Sequence, residues 1–152
     1  MGTGVPVRPG REQLGRLYLS TTTIPEAPLL TFRRLPALYA ICQSPATGPI
    51  PTWATQGEFT SMTRTSTELS IVCPESNIPA GIKADRGWIC LQLKGPFPFS
   101  ETSILSSFIA PLSANAIPIF AISTYDTDYV LIQQPFLEKA LETLRHAGHV
   151  LL

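Results

Sequence analysis

Two short stretches of this chain carry most of its polar chemistry, and each sets hydroxyls and a carboxylate at the start of an apolar run. One is Thr67-Glu68 ahead of Leu69-Ser70-Ile71-Val72; the other is Ser123-Thr124-Tyr125-Asp126-Thr127-Asp128 ahead of Tyr129-Val130-Leu131-Ile132. Glu68 and Asp128 both follow a threonine and open a strand. From there a carboxylate can hold a ligand ammonium or guanidinium through charge-assisted hydrogen bonds. The alternative for both is turn capping, because such side chains accept nearby backbone N–H groups readily. Asp126 reads first as turn chemistry. Ser123, Thr124 and Thr127 supply hydroxyls that orient a small polar ligand or simply favour strands. Tyr125 and Tyr129 wall a pocket or pack.

The other reactive types point to no chemistry of their own. His146 and His149 stand three apart around a predicted helix end with no third metal ligand nearby, so both read as solvated and favoured by the helix C-terminus. Cys42, Cys73 and Cys90 each interrupt an apolar run, and their spacing fits neither a metal motif nor a disulfide framework. They read as buried thiols. Lys83 and Lys94 lack the apolar surroundings of a Schiff-base lysine. Neither a nucleophile–base motif nor a phosphate loop appears. The expectation is no catalytic residue, no metal and no cofactor.

The elements that must position these residues are legible from periodicity. Ile117, Ile119 and Ala121 share one face of a strand, Phe120 and Ile122 the other, and the polar turn 123–128 joins it to a second strand at 129–132. Residues 88–94 alternate strictly and stop at Gly95-Pro96. Ser100 is placed to cap a helix whose Ile104, Leu105, Phe108, Ile109 and Leu112 fall at helical spacing; Pro111 should kink or shorten it. Leu137, Ala140, Leu141 and Leu144 form the stripe of a second helix, with Gly148 at its C′ position. A short strand at 149–152 completes β-α-β-β-α-β, the split βαβ pattern with helices on one face of an antiparallel sheet.

The earlier half reads as a weaker copy. At an offset of 60 residues, Thr67-Glu68-Leu69-Ser70-Ile71-Val72 falls on Thr127-Asp128-Tyr129-Val130-Leu131-Ile132. Tyr39-Ala40-Ile41-Cys42 resembles Trp88-Ile89-Cys90-Leu91 at a shorter offset, which fits a helix reduced to one turn near Trp53. Trp53 and Trp88 read as core. Structure should begin near Leu35, after a loosely attached segment at 1–16 and a strand-forming run at 18–24. The expected organisation is an N-terminal segment 1–34, a degenerate unit 35–86 and a complete unit 87–152.

Composition narrows the partners. The chain has 152 residues, 14% of them charged, and zero formal net charge. That balance lacks the basic footprint of a nucleic-acid binder and the polybasic cluster that holds an anionic membrane. No apolar run reaches the ~18 residues of a membrane span, and a cytoplasmic location is expected.

The run Glu68-Leu69-Ser70-Ile71-Val72-Cys73-Pro74-Glu75, the pair Gly87-Trp88 with Gly95-Pro96, and Ile119 through Leu131 resemble the ACT-domain superfamily, specifically small tandem-ACT proteins similar to the CASTOR arginine sensors. The resemblance spans about 35–152. It implies an α+β fold: a tandem ACT (ferredoxin-like βαββαβ) with a degenerate first copy. It also implies a non-catalytic regulatory protein that holds a free amino acid between ACT units. A homodimer is expected separately, because a sheet with helices on one face leaves its other face and edges needing cover. Carried over by position, the ligand contacts are Glu68, Ser70 and Ile71; Ser100, Thr102 and Ser103 in the loop entering the helix; and Ser123, Thr124, Tyr125, Asp126 and Asp128. Relatives tend to carry glycine where Ser103 stands, which lets a ligand carboxylate approach backbone N–H groups. The alternatives are an oligomerisation module with a vestigial pocket, and a pocket repurposed to act on an amino-acid-derived molecule.

Overall fold

In the computed structural model, which describes residues 27–152, seven strands form one sheet and two helices pack on it. The expectations for 1–16 and 18–24 lie outside the described residues. In chain order come β1 (Thr31–Ser44), β2 (Ser61–Arg64), β3 (Leu69–Pro74), β4 (Ala84–Leu93), α1 (Ile104–Ala114), β5 (Ile119–Ser123), β6 (Asp128–Gln133), α2 (Leu137–His146) and β7 (Val150–Leu151). From β4 onward this is the predicted β-α-β-β-α-β order. Where the first half would carry a helix it has a 3-10 turn, Thr52–Thr55.

The sheet order is β2-β3-β1-β4-β6-β5, with β7 beside β1. It reads alike from both ends: a hairpin, then a long central strand, then the mirror of the same. β1 and β4 run antiparallel from Phe32↔Leu93 to Cys42↔Ala84. Both exceed their predicted lengths, β1 starting at Thr31 and β4 at Ala84. The reason is shared duty. The end of β1 pairs with β3 while its start pairs in parallel with β7, and β4 supports both stretches. The expected boundaries at 34/35 and 86/87 therefore fall inside β1 and β4. Pro36, which has no N–H for the ladder, sits where the β1–β4 register shifts between Arg34 and Leu38.

Alternation sorts the side chains onto two faces. Ile89, Leu91, Val130 and Ile132 pack under the helices against Phe108, Leu112, Ala140 and Leu144. Leu69, Ile71 and Cys73 pack with Ala54 of the 3-10 turn, so that turn covers the first half as the helices cover the second. Fully burying one such side chain contributes about 1.5–3 kcal/mol. The other face curls inward around Tyr39, Phe59, Trp88, Cys90 and Leu131. There Phe59 stacks on Tyr129 at 4.1 Å, and the end strands β2 and β5 line one hollow. All three cysteines are buried free thiols, and burial pushes Cys73 up to about 11 and Cys90 up to about 12.

His149 departs from the solvated position expected for it: it is only 5% exposed. Its Nδ1 accepts the Leu30 N–H at 3.1 Å, and Nε2 donates to the Ser107 carbonyl at 3.1 Å. The cause lies in the end of α2. Gly148 at φ 93 donates to the Arg145 carbonyl and His149 N–H to that of Leu144. This Schellman closure turns His149 back under the start of β1. His146 alone stays in solvent, beside Glu142.

Candidate functional site

The polar turn between β5 and β6 is built from its own hydroxyls. Thr124 N–H and Oγ1 both donate to the Thr127 carbonyl, at 2.8 and 2.9 Å. Asp128 then opens β6 directly opposite Ser123, whose hydroxyl donates to the Asp128 carboxylate. The turn is anchored to the exit of β4. Buried Thr127 donates through Oγ1 to the Leu93 carbonyl at 2.7 Å, and Phe97 N–H donates to the Asp126 carbonyl at 2.8 Å. A Cβ at Gly95 would lie 2.7 Å from the Asp126 carbonyl oxygen, so no side chain fits there. In the sequence, Gly95-Pro96 reads as a strand end and as part of the ACT-like signature, and neither reading signals this close approach.

The loop after Gly95 brings the start of α1 to the same place. The predicted cap at Ser100 is replaced by Ser103, which precedes the helix at φ 66 and makes no side-chain capping bond. Three residues between Ser100 and the first helical turn are spent on bending the chain over the β5–β6 turn, so the helix starts late. A non-glycine residue in the left-handed region costs about 1 kcal/mol. The first helical bond runs from Ser107 N–H to the Ser103 carbonyl. The N–H groups of Ile104, Leu105 and Ser106 thus lie ahead of the intrahelical ladder.

Turn and helix entry enclose a hollow of about 260 Å³. Of the predicted residues, Ser123, Thr124, Tyr125, Asp126 and Asp128 line it, together with Phe99, Glu101 and Ile104. Phe99 and Tyr125, both largely exposed, meet edge to face at 4.9 Å on its rim. Ser100, Thr102 and Ser103 lie exposed in the adjoining loop without lining the hollow. The walls hold three carboxylates and no basic side chain, next to the positive end of a helix. That arrangement suits a dipolar guest whose carboxylate meets the helix and whose ammonium meets Asp128.

The remaining predicted residues stand elsewhere. Glu68 and Ser70 line a separate hollow at the ends of β1 and β3. Ser70 also meets Ser123 in the hollow between β2 and β5. Ile71 is fully buried in the core and lines neither. The physical reason is a one-residue slip in the repeat. Thr65 N–H donates to the Glu68 carbonyl as Thr124 N–H does to that of Thr127, and Arg64↔Leu69 answers to Ser123↔Asp128. The hairpins therefore correspond at an offset of 59, not 60. Glu68 matches Thr127, and a slip of one moves a side chain to the other face.

A family model described as an ACT domain matches residues 83–146, and a second, described as an N-terminal domain, matches 37–81. A crystal structure of a protein from Agrobacterium tumefaciens is 46% identical with a TM-score of 0.79, over 83% of this chain and 94% of that one. Residues 83–146 form an ACT domain. The human protein CASTOR3P is 32% identical over 103 residues, 59% of this chain; the chain spans 63% of the length of that relative. The regulatory subunit of aspartate kinase from Thermus thermophilus shares the fold at 10% identity and a TM-score of 0.54, over 73% of this chain and 93% of its own. The ACT match begins one residue before β4 and ends with α2. Both the 123–128 turn and the entry to α1 thus belong to the ACT unit.

Proposed function

We propose that this ACT protein is a non-catalytic regulatory module that binds a free amino acid in the hollow between the 123–128 turn and the start of α1. The observation that carries the reading is the placement of the Asp128 carboxylate and the open end of α1 around one hollow. One attracts an ammonium and the other a carboxylate, so the pair selects a zwitterion. The rim aromatics Phe99 and Tyr125 stand where a second ACT unit, from another copy of the chain, would close the opening.

Thermal melts against a panel of amino acids should find a ligand, since a compound at 100 times its Kd stabilises by about 2.7 kcal/mol. Titration calorimetry then compares wild type with Asp128→Asn. Losing one charge-assisted bond should cost about 2 kcal/mol, roughly thirtyfold in affinity, while the melting temperature without ligand stays put. Equal affinities in the two proteins would reduce Asp128 to a turn residue.

A further inference from the structure

Buried His149 has no part in the candidate site, yet it ties together elements far apart in the chain. It follows the end of α2 and directly precedes β7. Its Nδ1 accepts the Leu30 N–H just ahead of β1, and its Nε2 reaches the carbonyl of Ser107 in α1, both at 3.1 Å. The Phe108 ring lies beside it, with 5.4 Å between centroids.

Both contacts answer a need of the backbone. In an α-helix the Ser107 carbonyl would accept the N–H four residues on, but that residue is Pro111, which has none. The His149 ring supplies the missing donor. Leu30 is buried, and its N–H finds its acceptor in the same ring. Only one form of the imidazole serves both: neutral, with its proton on Nε2. The rest of the edge is thin, since β7 pairs two residues with β1, Val150 with Thr31 and Leu151 with Phe32.

A proton on Nδ1 would change one contact and leave the other. An imidazolium has two donors and no acceptor, so the bond to Ser107 stays while the Leu30 N–H meets a second donor. The charged side chains around the ring come from α2. There Glu138, Lys139, Glu142 and Arg145 line the hollow that His149 borders, two of each sign. α1 carries no ionisable side chain, and neither do residues 29–32 or β7.

We infer that His149 is a pH-operated latch on the β1–β7 edge. Neutral, it fastens the start of β1 to α1 and to the end of α2. Charged, it keeps its hold on α1 and lets go of Leu30. Mild acid therefore frees residues 29–32 and β7 while the helices stay packed. Histidine is the side chain that ordinarily changes charge between about pH 5 and pH 8. The two contacts need the neutral ring, so the latch is closed at the upper end of that range and opens as the pH falls. Neither His149 nor its two partners line the turn hollow.

Amide hydrogen exchange on the full chain, followed by NMR at about pH 7.5 and about pH 5.5 and corrected for the intrinsic pH dependence of exchange, reads the latch directly. At the lower pH the amides of Leu30 and Val150 should lose at least about tenfold in protection, as expected for one buried hydrogen bond. Those of Leu112 and Leu144 should keep theirs. Imidazole nitrogen shifts from the same samples should show Nδ1 bare at the higher pH and protonated at the lower. His149→Gln, which offers an acceptor and a donor but does not titrate, should remove the pH dependence at Leu30. His146→Gln, at the exposed histidine, should behave as wild type. The latch is overturned if Leu30 and Val150 are equally protected at both pH values, or if protection is lost while Nδ1 is bare. It is overturned too if His149→Gln loses protection with pH as wild type does. Should that variant not fold, the wild-type shifts and exchange rates decide alone.

Discussion

Tyr39 shows how a single residue can carry an unfavourable contact inside a well-packed core. It is fully buried, edge to face with Phe59 at 5.9 Å, and its hydroxyl has no partner among the described residues. Burial, helped by Cys90, pushes the phenol up to about 12, so the group stays neutral across the ordinary working range. A buried hydroxyl without a partner costs about 1–3 kcal/mol. Tyr39→Phe should therefore raise stability by about 1 kcal/mol, read as a higher urea midpoint with an unchanged slope. The gain should be constant from pH 6 to pH 9, because the phenol is protonated in folded and unfolded chains alike there and no proton linkage arises. A lower midpoint would mean that the hydroxyl has a partner, such as a buried water. At this scale the sequence was informative about type and poor about direction. Asp128 was readable as the residue that opens a strand because it directly precedes an apolar run, whereas its pairing with Ser123 came only with the register. Ile71 was not separable from Ser70, since neighbours in a strand face opposite sides and only the register says which side is which.

At the scale of elements, the candidate site depends on how its turn is fastened to a neighbouring strand, and one side-chain hydrogen bond makes that link. Thr127 Oγ1 to the Leu93 carbonyl is that bond, and it is buried. Thr127→Val keeps the shape and removes the donor. The expected cost is about 1 kcal/mol of stability, with weaker amino-acid binding at the turn hollow. Paired denaturation and calorimetry measure both. A variant that binds normally would show that the turn holds itself. The helices were legible from periodicity, because one face of each is dry and the other wet, and the β5–β6 pair because two apolar runs flank a dense polar turn, with both faces of β6 buried. The length of β1 was not. Its extra residues, Thr31 to Arg34, are held by β4 and β7, which are about 60 and 120 positions away in the chain. A local pattern carries no trace of partners that distant. The start of α1 was misplaced for a related reason. Ser100 has the right chemistry for a cap, but the loop must first bend over the 123–128 turn.

For the whole molecule, the edge formed by β7 is the place to look for a partner. β7 has two residues, and Leu29, Val150, Leu151 and Leu152 are exposed around it. Beside it, Phe32, Leu141, Val150 and Leu151 line an apolar hollow of about 750 Å³ against α2. Among the described residues this short edge is open and has an apolar flank, which invites pairing, and zero net charge does nothing to oppose it. The expected state is a homodimer, sedimenting at twice 16.5 kDa at high micromolar concentration, with Leu151→Glu returning it to the monomer. A monomeric wild type would count against this. The same edge also fixes the order of events during synthesis. Leu30 closes onto His149 and Val150, and Phe32 onto Leu152, so the first described strand waits on residues made some 120 positions later. Until those emerge from the ribosome, the start of β1 has, among the described residues, only β4 to lean on. A nascent chain stalled before α2 should therefore be a good client for chaperones that read exposed strands, and released chains should become protease-resistant in a single late step.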